Sequence, residues 1–374
     1  MVVLCAMGVA GLGAVALLDG GQASKPVVSG GASAATAPAT VDKAAYDAKM
    51  LALANLPPQS DCKKSDDTAS AKKAPDKVPG KARELKPAAS TKRRDALRPC
   101  PAPLWPPHTV YPEAGAILPF KRVVAYYGNF YSPRMGVLGK YPPDKVLAML
   151  ESQANAWAKA DPSTPVVPAI DYIVVSAQGM PGRTGKYMMR MPAGQIEKAI
   201  SMANQIHGLL FLDVQPGWST VQVEVPRLAP YLKLPNVELA LDPEFALTEG
   251  KRPGAWRGTL SAADINFAAR FLAEIVRQNH LLPKILVVHR FTQRMVTDYR
   301  AIKPLPQVEI VMDMDGFGSP ALKHAAYRDF VANQPVQFTG FKLFYINDIK
   351  WGGCLMTPAQ VLRLSPQPIF ILYQ

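Results

Sequence analysis

Eight short apolar runs limit what this chain can fold into. They are Val123–Asn129, Tyr172–Gln178, Leu209–Gln215, Val237–Phe245, Ile285–Thr292, Val308–Phe317, Gly340–Tyr345 and Ile369–Gln374. Each is nearly continuous rather than alternating, as when both faces of a parallel strand are covered. Amphipathic stretches separate them: Pro143–Lys159, Pro192–Ile206, Val221–Leu232, Ser261–Asn279, Arg294–Ile302, Pro320–Ala332 and Pro358–Leu364. Proline stands early in four of these and Ser261 with Asp264 forms a capping-box-like start. Seven strand–helix units and a last strand over residues 123–374 predict an α/β fold, a (β/α)8 TIM-type barrel lacking the last helix. The rival doubly wound sheet carries a glycine-rich turn after its first strand. Here that strand ends Tyr126-Tyr127-Gly128-Asn129.

The residues before the barrel have a different composition. Proline accounts for 36 of 374 residues, about twice the usual share of roughly 5%. It concentrates before residue 123 and in the loops, because helix interiors and central strands exclude it. The apolar run Met1–Leu18 followed by small residues predicts a signal peptide or membrane anchor over residues 1–23. Residues 24–101 read as a disordered basic Pro/Ala/Lys-rich arm, with one short helix over Ala44–Leu56. From Lys63 to Arg98 twelve cations oppose five acids, over half of the net +13. Such an arm suits an anionic wall polymer or an acidic membrane surface, and export makes nucleic acid an unsuitable partner. Cys62 and Cys100 bracket it and are able to pair in an oxidising compartment. Residues 102–122 (Trp105, Tyr111, Phe120) are expected to pack on the barrel. The expected whole is an exported, envelope-located monomer, with residues 1–18 a possible tether.

In such a barrel the chemistry sits at the C-terminal strand ends, and polar residues gather there at a period of two. The candidate catalytic residues are Glu244, Asp242, Asp213 and Asp313. Tyr127, Asn129, Gln178, Gln215, Trp218, Trp256, His289, Asp315, Lys342, Tyr345, Trp351 and Tyr373 are candidates for substrate binding. Crowded, desolvated carboxylates have raised pKa values, so one can stay protonated near neutrality. Aromatic loop residues suit stacking on sugar rings, and the rim cations Arg183, Lys186, Arg190, Lys251, Arg252, Arg257, Arg294 and Lys350 suit an anionic ligand. No metal and no cofactor is expected. No Cys or His spacing matches a zinc site, and there is no nucleotide-binding glycine loop, Gly-x-Ser-x-Gly elbow, haem signature or flavin signature.

The fourth strand, Val-Glu-Leu-Ala-Leu-Asp242-Pro-Glu244-Phe, resembles the Asp-x-Glu strand end of glycoside-hydrolase barrels, the muramidase-like lysozymes and chitinase-like enzymes. The first strand's Val-Val-Ala-Tyr-Tyr is also similar to the chitinase-like enzymes. The resemblance implies Glu244 as general acid and Asp242 as its helper. Two departures limit it. Val237 and Ala240 stand where the longer Asp-rich chitinase motif has acids, and the seventh strand ends without the glutamate of a two-glutamate retaining enzyme. The run of strand ends, LDVQPGWS through ILYQ, resembles a family of exported bacterial barrels, which implies an envelope location and no particular reaction. Three functions are therefore in competition. One is a glycan hydrolase, with Asp213 or Asp313 as base or nucleophile. The second is a metal-dependent (phospho)hydrolase using Asp213, Asp242, Glu244, His289 and Asp313. The third is a non-catalytic barrel that binds a carbohydrate or a partner.

Overall fold

The computed structural model describes residues 40–56, 103–350 and 353–374. The eight barrel strands are β1 (Arg122–Gly128), β2 (Val166–Ala177), β3 (Leu209–Val214), β4 (Val237–Leu241), β5 (Lys284–Arg290), β6 (Val308–Met314), β7 (Phe338–Leu343) and β8 (Phe370–Tyr373). Each pairs in parallel with the next, and β1 pairs with both β2 and β8, so the sheet closes into a TIM-type barrel. A three-residue strand, Met188–Arg190, runs antiparallel to the end of β2.

Alternation along the strands divides the core in two. Val123, Ala125 and Tyr127 of β1 point inward with Ala169 and Ile173 of β2, Phe211 of β3 and Leu372 of β8. The intervening residues, such as Val124, Ile170, Leu210 and Ile371, point outward and meet the helices. The helix α1 (Lys43–Ala54) packs with the inner cluster; the helices outside the strands are α2 (Pro143–Ala160), α3 (Ala193–Gln205), α4 (Ala262–Asn279), α5 (Pro320–Tyr327) and the single turn α6 (Pro358–Val361). Ser261 and Asp264 form the expected capping box on α4.

One expected helix is modified and another is corrected. Val221–Leu232 is helical over its whole length, but its middle tightens into the 3-10 turn Val225–Leu228 between two single α-turns. Pro226 and Pro230 each lack an N–H and crowd the preceding turn. Arg294–Ile302 is two 3-10 turns with a two-residue strand, Val296–Thr297, between them. β-branched side chains favour that extended step, and Asp298, at φ 56°, ends it.

The N-terminal barrel end is plugged by the extension. Glu309, fully buried at the start of β6, accepts the backbone N–H groups of Leu118 (2.7 Å) and Ile117 (3.1 Å). The indole of Trp105 donates to the Ala332 carbonyl at 2.6 Å. The short helix expected within the arm is α1, seated on the barrel rather than free in a spacer. Its Tyr46 and Met50 are buried, with Tyr46 against Phe120 and Phe338. The proposed leader over 1–23, most of the arm, the Cys62–Cys100 pair and Trp351 lie outside the described residues. Among the described residues no helix is long and apolar enough to cross a membrane.

Candidate active site

The barrel interior becomes polar toward the C-terminal strand ends, in two tiers. The upper tier opens into a cavity of about 740 Å³ lined by Tyr127, Gln215, Asp242, Glu244, Asp315 and Lys342 among others. The lower tier is sealed. It holds Asp171, Asp213, His289 and Asp313, all with 0% exposure, and none of them lines the cavity.

Glu244 owes its position to a turn, because β4 stops at Leu241. Pro243 cannot donate into a ladder, and the chain enters a 3-10 turn, Pro243–Phe245. Asp242 caps that turn: its Oδ1 accepts the Glu244 N–H at 3.1 Å. The Gly258 N–H donates to the Glu244 carbonyl at 2.6 Å and clamps the turn from the following loop. The two acids therefore do not share a strand face, as their spacing suggested. Asp242 is buried under the turn, and Glu244, with 30% of its side chain exposed, borders the cavity. Burial first, and then the negative charge of Asp315, push the Glu244 carboxyl up to about 7, against the opposing pull of Arg257 and Lys342. Burial and the neighbouring Asp213 hold Asp242 well above the usual carboxylate range.

Lys342 points inward. Its Nζ lies 3.1 Å from Asp315 Oδ1 and 3.6 Å from the centre of the Tyr127 ring. Burial alone lowers a lysine pKa; here Asp315, Asp242 and Asp313 more than offset it, and the ammonium is held above its ordinary value. Gln215 donates to Tyr127 Oη at 3.0 Å and more weakly to Asp242 Oδ2 at 3.4 Å, and its own oxygen accepts the Ala177 N–H. It joins β1, β2 and the acidic turn at one level.

In the lower tier His289 bridges two carboxylates. Nδ1 lies 3.0 Å from Asp313 Oδ2 and Nε2 3.1 Å from Asp213 Oδ2. Burial pulls the imidazole pKa down, but the hydrogen bonds to Asp213 and Asp313 outweigh it and raise it well above normal. Asp213 and Asp313, expected as base or nucleophile, are thus sealed partners of a buried histidine. Both belong to inward-facing strand positions one step below the cavity. The five-residue metal set of the second sequence reading does not assemble either: Asp242 and Glu244 line the cavity, whereas Asp213, His289 and Asp313 lie beneath it.

Asp171 was missed. It lies inside β2 between the inward-facing Ala169 and Ile173, beside Tyr127 of β1. A lone acid in the run Pro-Ala-Ile-Asp-Tyr-Ile-Val is the available signal, but the expected strand begins at Tyr172, six residues after the observed start at Val166, and leaves Asp171 out. Burial and Asp213 hold its carboxyl well above the usual range.

Most of the other expected binding residues serve the fold. Asn129 donates to the Ile173 carbonyl and accepts from Tyr131 N–H. Gln178 bonds Ser176. Trp218 packs on Tyr187 and donates to the Lys251 carbonyl at 2.6 Å. Trp256 is exposed and lies outside the cavity lining. Tyr373 faces outward, where its hydroxyl accepts from Trp157 and Gln153 of α2. Tyr345 stacks on Tyr373 and lines a separate cavity of about 350 Å³. The aromatic wall of the main cavity is phenylalanine instead: Phe245, Phe291, Phe317, Phe330 and Phe344. Gln374, Asn347, Arg134, Arg257 and Asp329 belong to its polar rim, with Asp329 paired to its neighbour Arg328.

No family model and no curated protein matches the chain. Solved structures do. The YdhT protein from Bacillus subtilis is 11% identical over 68% of this chain and 80% of its own, with a TM-score of 0.33. The Bacillus subtilis mannanase man26 is 12% identical over 68% and 79%, with a TM-score of 0.32. A GH18 chitinase from Pseudoalteromonas aurantia is 11% identical over 68% and 93%, also with a TM-score of 0.32.

Proposed function

We propose that the protein is an exported hydrolase of an envelope glycan, with Glu244 as its general acid. One observation carries this reading: a glutamate bordering a large cavity has its pKa pushed up to about 7 by burial and by Asp315. A carboxyl with that pKa still holds a proton near neutrality and can deliver it to a departing glycosidic oxygen.

The second working carboxylate is Asp315. Of the remaining acids expected at the site, only Asp315 and Asp242 line the cavity. Asp242 is engaged in holding the Glu244 turn. Asp315 sits against Lys342, and a carboxylate there supports the positive charge that develops on the sugar ring or activates the attacking water. Arg134 and Arg257 border the same space, so anionic substituents on a glycan such as a wall polymer would meet them at the rim. The phenylalanine wall supplies the apolar surface for the sugar faces.

The experiment is hydrolysis of peptidoglycan and anionic wall polysaccharides, with release of reducing ends as the readout. Loss of a general acid costs about 10²–10⁴-fold. Glu244→Gln is expected to lose activity in that range while keeping the wild-type circular dichroism spectrum. Hydrolysis by Glu244→Gln at the wild-type rate rejects the assignment.

A further inference from the structure

We propose that Asp171, Asp213 and His289 bind one divalent transition-metal ion, of the zinc or manganese class, in the barrel interior beneath the cavity. This site stands apart from the glycan reading, because none of the three residues lines the cavity.

Three independent observations carry it. The first is an orphaned acid. Asp171 has 0% exposure, and neither of its carboxylate oxygens has a hydrogen-bond partner among the described residues. Asp213 Oδ1 is in the same position. A buried carboxylate left in this way is costly unless a cation or a donor meets it. The second is proximity. One ligand atom from each of Asp171, Asp213 and His289 lies within 4.8 Å of the others. Ligands bound about 2.1 Å from one ion stand about 3–4 Å apart, and His289 Nε2 to Asp213 Oδ2, at 3.1 Å, is already such an edge.

The third is the far side of the ring. A metal-ligating histidine usually donates its other N–H to a carboxylate, which fixes the tautomer and orients the ring. His289 Nδ1 lies 3.0 Å from Asp313 Oδ2. Gly340 of the neighbouring strand makes room for that carboxylate, since a Cβ there would stand 2.5 Å from Asp313 Oδ1. Charge balance points the same way. The cations Lys342, Arg134 and Arg257 all belong to the upper tier, where Lys342 is engaged by Asp315, whereas the sealed tier holds Asp171, Asp213 and Asp313 with His289. A divalent ion would offset Asp171 and Asp213. One imidazole with carboxylate oxygens suits a transition ion rather than magnesium or calcium, which take oxygen ligands.

The rival arrangement is a proton: an imidazolium His289 between Asp213 and Asp313, beside a protonated Asp171. The two are separable in the purified full-length protein, stripped with a chelator, incubated with Zn²⁺ alone or Mn²⁺ alone, and desalted. The wild type is expected to retain about one equivalent and gain several degrees in melting temperature, since an ion that binds only the folded state stabilises it. Asp171→Asn is expected to retain little and show no such gain. Equal retention by the two proteins, or none by the wild type, overturns the site; in the second case Asp171→Asn should be the more stable protein, because it removes a buried acid. Should Asp171→Asn not fold, Co²⁺ added to the stripped wild type decides. Visible absorption bands without a thiolate charge-transfer band, removed by Zn²⁺, support the site, and their absence overturns it.

Discussion

Single side chains set the chemistry of the upper tier. Arg257 Nε stands 4.0 Å from Glu244 Oε1, with 63% of its side chain exposed, and it holds the Glu244 pKa below what burial alone would produce. Replacing it by glutamine should leave stability within about 0.5 kcal/mol, as at most surface positions. The Glu244 pKa should rise, moving the alkaline limb of the rate profile to higher pH. The sign follows from the role: a general acid works while protonated, so wild-type hydrolysis falls as pH passes about 7, and the variant holds its rate further up. Rate measurements from pH 5 to 9 on both proteins check this. Lys342→Met is a different case. Its ammonium is 2% exposed and paired with Asp315, and removing one partner of a buried pair costs about 3–5 kcal/mol. Urea unfolding should register that loss. At the residue scale the sequence showed the acids but not their depth. Glu244 and Asp213 looked equivalent, because level within a barrel depends on strand stagger, which the period of two does not encode. The same period does place Tyr373 outside, opposite in phase to Phe370 and Leu372, but only once the inward phase of β8 is known. The loop tryptophans have no such phase at all.

Short elements, more than long ones, aim these side chains. The 3-10 turn after β4 is held at both ends, by the Asp242 cap and by Gly258. A Cβ on Gly258 would run into the carbonyl oxygens of Ala246 and Pro243. Gly258→Ala should therefore shift Glu244 and lower kcat on the order of 10²-fold, the usual cost of a misplacement near 1 Å, with circular dichroism unchanged. Turnover at the wild-type rate would mean that the turn tolerates the shift. At the other end of the barrel, α1 buries Met50, and Asn55 just after it donates to the Leu364 carbonyl at 2.8 Å. Met50→Ala should cost about 2–5 kcal/mol if α1 is part of the folded unit, and urea unfolding with an unchanged midpoint would show that it is not. The long helices α2, α3 and α4 were readable from their periodicity. The segment around Asp298 was not, because apolar spacing persists where the extended Val296–Thr297 and the left-handed Asp298 interrupt the helix; nor does spacing show the 3-10 tightening around Pro226.

Over the whole molecule the eight apolar runs correspond to eight strands of a closed barrel, because a strand covered on both faces has little choice of composition. What the runs concealed is the division of the interior into an open acidic cavity and a sealed tier below it. Asp171 is the residue on which that division was lost, an acid hidden inside a strand rather than displayed at its end. With Glu244 as the acid, the barrel mouth presents a carboxyl that keeps its proton near neutrality. Carbon-13 NMR of glutamate side-chain carboxyls, titrated in the wild type and assigned by the signal missing from Glu244→Gln, tests it without any substrate. The predicted midpoint for Glu244 is about 7. A midpoint near the ordinary 4.5 would exclude Glu244 as a carboxyl that is protonated near neutrality.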